Sequence, residues 1–160
     1  MSHFPRTILY ALTYLSLSGV SGFTAESKIG VAAAVKNQVE GLQGGAPRTL
    51  AAGSEVFANE RIRTGEASTA QLLFLDKTSL SVGPRAELSL DRFVFDPNKG
   101  TGQVVLDTVR GSFRFVTGSQ NPTHYSIKTP VATLGIRGTI IDLLVQSGRT
   151  IVVLVEGAVS

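Results

Sequence analysis

"STAQLLFLDKTSLSVGPRAELSLDRFVFD", Ser68–Asp96, decides the fold. Ala70, Leu72 and Phe74 fall on one side of an extended chain, and Gln71, Leu73 and Leu75 fall on the other. That period of two belongs to a strand, because successive side chains point to opposite faces. Asp76-Lys77 reads as a tight turn, after which Leu80 and Val82 resume the alternation. Gly83-Pro84 turns the chain again, and Leu88, Leu90, Phe93 and Phe95 continue the pattern.

The same grammar extends in both directions. Upstream, Val31, Ala33 and Val35 alternate, although Ala32–Ala34 would equally support a helical turn. Gly44-Gly45, Gly53-Ser54 and Thr64-Gly65 are turn signals, with Val56 and Ile62 as isolated apolar anchors between them. Downstream, Asp96–Gly102 is a loop, Val104–Leu106 return to strand character, and Phe113 and Phe115 alternate with Ser112 and Arg114. Tyr125 and Ile127 alternate with Ser126 and Lys128. The chain then reads as a hairpin, with "TIIDLLVQ" and "TIVVLVEG" joined at Ser147-Gly148-Arg149. Ile141, Leu143 and Val145 share one face of the first arm, and Asp142 points the other way. Val152 and Leu154 share a face of the second arm. The spacing predicts an all-β fold of about ten short, mainly antiparallel strands in a compact sandwich or roll. The glycines at 65, 83, 102, 111 and 118 leave a short β-solenoid-like roll as the alternative.

With 160 residues, 42% hydrophobic and 17% charged, the chain suits one globular domain. The absence of cysteine excludes disulfides, thiol nucleophiles and Cys-based zinc sites. The formal charge is +3 and the cations are scattered singly, so no basic stripe for nucleic acid is expected. The start of the chain has the three-part layout of a secretory signal: Arg6, an apolar run from Ile8 to Val20, then small residues. A signal helix over residues 1–25 is expected, with cleavage after Ala25 or Gly22, followed by a domain over residues 30–160. Ile8–Val20 is short for a membrane span, which needs about 20 residues. Uncleaved retention as an inner-membrane anchor is the alternative to a periplasmic or secreted protein.

Candidates for chemistry are few. Beyond the leader the only histidine is His124, in an expected loop, so a histidine metal cluster cannot form. Asp96–Gly100 has only a faint likeness to a calcium loop, because it lacks the acidic series and the distal glutamate. There is no nucleophile elbow and no phosphate loop before a helix. No catalytic residue, cofactor or metal is expected, and the chain reads as a non-enzyme. The segment "TPVATLGIRGT", Thr129–Thr139, is expected to be a rigid corner between strands. Thr129, Pro130, Gly135, Arg137, Gly138 and Thr139 shape it, with Val131, Leu134 and Ile136 plugged into the core. Arg137 is either pinned to carbonyls or a carboxylate, or offered to a partner or anion.

"TPVATLGIRGT", the following "IIDLLV" and "SGRTIVVLVEGAV" resemble the end of the FecR domain. "GSEVFANERIRTGEASTAQLLFLDKTSLSVGPRAELSL", "LDRFVFDPNKGTG" and "GSFRFVTG" resemble its earlier elements, so the resemblance runs from about Gly30 to Val159. It implies an all-β exported module with a protein-interaction or envelope-sensing role and no catalytic residues. The best-known members relay receptor occupancy to a cytoplasmic sigma factor. Met1–Thr7 is too short for a sigma-binding segment, so that role is not expected here. The expected partner is an envelope protein, with the hairpin 139–156 and the terminal strand as docking edges. The alternatives are self-association through an edge strand, or binding of a small ligand, anion or glycan.

Overall fold

The computed structural model describes residues 27–96 and 101–160. The expected leader and the tip of the Asp96–Gly102 loop lie outside them. The described residues form twelve strands and one 3₁₀ turn. The strands are β1 (Lys28–Lys36), β2 (Val39–Gln43), β3 (Ala46–Thr49), β4 (Glu55–Phe57), β5 (Arg61–Thr64) and β6 (Thr69–Phe74). They continue with β7 (Ser79–Val82), β8 (Glu87–Asp96), β9 (Thr101–Val116), β10 (Tyr125–Lys128), β11 (Thr133–Gln146) and β12 (Arg149–Val159). The 3₁₀ turn is Pro122–His124. No helix among the described residues is long and apolar enough to cross a membrane.

The all-β expectation and the antiparallel bias hold. The lengths do not: β8, β9, β11 and β12 run for 10, 16, 14 and 11 residues. Gly102 and Gly111 read as breaks, yet β9 passes through both. Gly111 keeps the strand going by taking φ +112°, where a Cβ would stand 2.6 Å from the Ala86 Cα. Only glycine adopts that backbone and permits that approach.

β9 organises the sheet. Its first half lies between β8 and β10, and its second half between β7 and β11. From β7 the sheet continues through β6 and β1 to β4, and from β8 through β5 and β2 to β3. The β9–β10 pair is parallel and all the others are antiparallel. The sheet therefore rolls instead of stacking successive coils. Its two ends, β3 and β4, meet where Arg48 donates to the Glu55 carbonyl.

The alternation seen in the sequence sets the faces. Leu72, Leu80, Phe115 and Ile141 stand directly opposite one another on successive strands and are all buried. Val56, Ile62, Leu88 and Leu90 close the interior from the other side of the roll. Phe115 meets Tyr125 edge-on at 5.8 Å, a favoured aromatic geometry. Burial of this apolar set is the main stabilising term.

Candidate functional site

β12 is an open edge. It pairs with β11 alone, so alternate N–H and C=O groups along its other side have no partner among the described residues. Five consecutive large apolar residues, Ile151, Val152, Val153, Leu154 and Val155, are 37–55% exposed. β-branched side chains favour the extended backbone here. Register explains the exposure: Leu143 and Ile141, buried on β11, stand opposite Val152 and Leu154, which lie beyond the cover of the roll.

The outer face of the same sheet carries a different row. Ala34, Gln71, Ser81, Arg114, Asp142 and Val153 are directly opposite one another on six neighbouring strands. They line a trough of about 650 Å³ that ends at β12. Arg114 Nε and Nη2 donate to Asp142 Oδ1 and Oδ2, both at 2.7 Å. These bonds hold the Asp142 carboxyl below its usual range and raise the Arg114 guanidinium. The pair satisfies itself, leaving a mainly apolar trough whose remaining charge is Lys36 at the β1 side.

The family model described as FecR protein matches residues 60–160. The chain belongs to the FecR family. This is a family of envelope signalling and regulation that faces the periplasm. The matched span contains the β12 edge and most of the trough. The resemblance read from the sequence began earlier, near Gly30; β1–β4 precede the matched span, yet β1 pairs directly with β6 inside it. No curated protein and no solved structure matches the chain.

Within the FecR domain the segment Thr129–Thr139 is not one corner. The turn is confined to residues 129–132, and Thr133 already begins β11. Thr129 closes that turn: its N–H donates to the Ala132 carbonyl at 2.8 Å, and its Oγ1 accepts from the Ala132 N–H at 3.0 Å. Pro130 lies exposed at the tip. Val131, expected in the core, is also exposed, because it sits in the loop instead of on a strand face. Ile136 is buried and Leu134 partly so. Gly135 exchanges backbone hydrogen bonds with Ser160 at 2.7 and 3.0 Å, and a Cβ there would lie 2.9 Å from the Ser160 Oγ. Gly138 takes φ +53° where the β11–β12 register shifts, between Arg137 and Ile140, and Thr139 follows it in the same bulge. Arg137 is exposed and makes no hydrogen bond or ion pair among the described residues. It stands opposite Ala158 of β12, on the same hairpin as the open edge.

The buried acids were not legible as such. Glu60 is fully buried. It accepts from Arg48 Nε at 2.9 Å, Arg48 Nη2 at 3.0 Å and the Phe57 N–H at 3.0 Å. Asp76, at the turn after β6, is fully buried as well. It accepts from the Thr78 N–H at 2.9 Å, the Thr78 Oγ1 at 2.8 Å, the Tyr125 hydroxyl at 2.9 Å and Gln120 Nε2 at 3.0 Å. Burial pushes the Tyr125 hydroxyl above its usual range. Both acids are filled with internal donors and act as braces. His124 lies half-buried in the 3₁₀ turn. Among the described residues no three His, Asp or Glu side chains gather as a metal site. The docking edge expected over the hairpin 139–156 and the terminal strand narrows to β12, whose unbroken run Ile151–Val155 shows no polar alternation.

Proposed function

We propose that this chain is an exported, non-enzymatic FecR module that recognises an envelope protein by accepting one of its extended segments along β12. The leader over residues 1–25 carries it to the periplasm, and receptor or regulator segments there supply the added strand. The observation that carries this reading is the long apolar edge of β12, with unpaired backbone groups, beside a preformed trough. Strand addition uses main-chain hydrogen bonds for affinity and side-chain recesses for selectivity. The trough offers such a recess next to Val153, and Arg137 offers a free charge on the same hairpin.

Site-specific photo-crosslinking in living cells tests the reading. A photoreactive residue at Val153 is expected to give adducts with envelope proteins, whereas one at the turn residue Lys77 gives none. Protease added to cells with a permeabilised outer membrane should reach the domain. Absence of every adduct from Val153, or protection from the protease, contradicts the proposal.

A further inference from the structure

We infer that, when no other segment is bound, the occupant of β12 is β12 of a second copy, joined antiparallel about a twofold axis through Val153. The inference rests on reading β12 as a docking edge and names what fills it.

The first argument is the contrast with the other edges. β3 is four residues long and carries Pro47 and Arg48. β4 is three residues long, and its Glu55 is paired with Lys28 at 2.8 Å. Shortness, proline and charge are the devices that stop sheet edges from pairing. β12 has no proline or charge between Thr150 and Val155, and its bulge falls at Val155, past the regular run Thr150–Leu154.

The second argument is self-complementarity. A twofold axis normal to the sheet keeps each side chain on its own face, so facing residues must have numbers whose sum is even. With the axis at Val153, Val152 faces Leu154 of the second copy within the regular run Thr150–Leu154, and the exposed Ile151 and Val155, the latter in the β12 bulge, flank them. Apolar residues meet apolar residues at every central position, as cross-strand pairing favours. No charged residue lies between Thr150 and Val155, so no like charges meet near the axis.

Backbone polarity agrees. The two-residue connection Ser147-Gly148 makes Gln146 and Arg149 the closing pair of the hairpin. Counting from that pair, Thr150, Val152 and Leu154 aim their N–H and C=O groups away from β11. Val152 and Leu154 then exchange hydrogen bonds across the axis. Val153 becomes a non-hydrogen-bonded pair, where the two Cα atoms approach to about 4.5 Å.

The rows also continue. On the core face the row Leu72, Leu80, Phe115, Ile141, Leu154 runs straight into Val152 of the second copy. On the outer face the two troughs join across Val153 into one, with an Arg114–Asp142 pair on each side.

Sedimentation of the full chain recovered from the envelope fraction tests this. The expected result is a concentration-dependent monomer–dimer equilibrium. Val153→Lys and Val153→Glu each place like charges on the axis and should weaken dimerisation at least tenfold. Mixing the two variants should restore a dimer, because lysine then faces glutamate. In a chain without cysteine, Val153→Cys is expected to give a disulfide-linked dimer on mild oxidation, whereas Lys77→Cys does not. The cysteine variant keeps the test decisive if a charged variant fails to fold. A strict monomer, or a dimer indifferent to all three substitutions at Val153, overturns the inference. If a monomer still forms Val153 adducts with other envelope proteins, only the self-pairing falls. If Val153 forms no adducts at all, the docking reading falls with it.

Discussion

The β3/β4 end of the sheet and the β12 edge solve the same physical problem in opposite ways. Both leave backbone groups without a neighbouring strand. At the β3/β4 end the strands are short, Pro47 removes a donor, and the Arg48 guanidinium spans from β3 to the buried Glu60 and to the Glu55 carbonyl. Arg48 also lies over the Phe57 ring at 5.2 Å. Gly41 makes room for this brace, since a Cβ there would lie 2.0 Å from Glu60 Oε1. At β12 the strand is long, apolar on both faces and free of any brace. One sheet thus contains a sealed end and an open one, and an edge with no seal is the natural place for another chain.

The comparison can be broken in graded ways. The largest effect is expected at neither edge. Asp76→Ala leaves the Tyr125 hydroxyl, the Thr78 N–H and Oγ1 and Gln120 Nε2 without their acceptor. It should lower stability by about 3–5 kcal/mol in urea unfolding, since orphaned buried donors each cost about 1–3 kcal/mol. It thereby marks the scale of a purely structural loss. Glu60→Ala removes the seal of the β3/β4 end and should cost about 3 kcal/mol, somewhat less because Arg48 can still reach solvent. The same variant should raise proteolysis near β3 and β4; an unchanged unfolding midpoint would show that the brace is ornamental.

Val153→Lys gives the open edge the device that sealed edges carry. Its side chain points to solvent, so monomer stability should move by no more than about 0.5 kcal/mol. Self-association through β12 should nevertheless weaken at least tenfold. A large drop in stability would mean that Val153 belongs to the core.

The smallest effect lies in the trough. The Asp142 carboxyl is held below its usual value of 3.8 by Arg114, so the pair stabilises the fold above that pH and the gain disappears as pH falls through the lowered value. The pair is solvent-exposed, and its contribution is small and screened by salt. Thermal unfolding of Asp142→Asn should therefore differ from wild type above pH 4 and converge with it in stronger acid. Divergence in acid would reverse the sign of the argument.

Much of this contrast is legible in the sequence, and the rest has identifiable reasons for being hidden. Ala70, Leu72 and Phe74 announce a strand by alternation because only one of its faces is covered. Ser147-Gly148 announces the final hairpin because Gly148, at φ +71°, supplies the turn. Val104, Val105 and Leu106 show no alternation because all three are buried, so both faces of this part of β9 are covered. Asp76 looks like a solvent-facing turn residue; its partner Tyr125 lies 49 residues away, and no local pattern encodes that meeting. Arg137 sits where a rigid corner was expected, but the glycines around it serve a bulge and the approach of Ser160 instead. The edge itself was named from its place at the end of the hairpin, while its openness depends on register, which a period of two alone does not fix.

Amide hydrogen exchange of the intact chain at low and high protein concentration tests the central claim most directly. The account predicts that the outward amides of Thr150, Val152 and Leu154 exchange fast when dilute and become protected as concentration rises. Over the same range, protection of β3 should not change. Equal exchange of β12 at every concentration, or protection already complete in the dilute monomer, would contradict it.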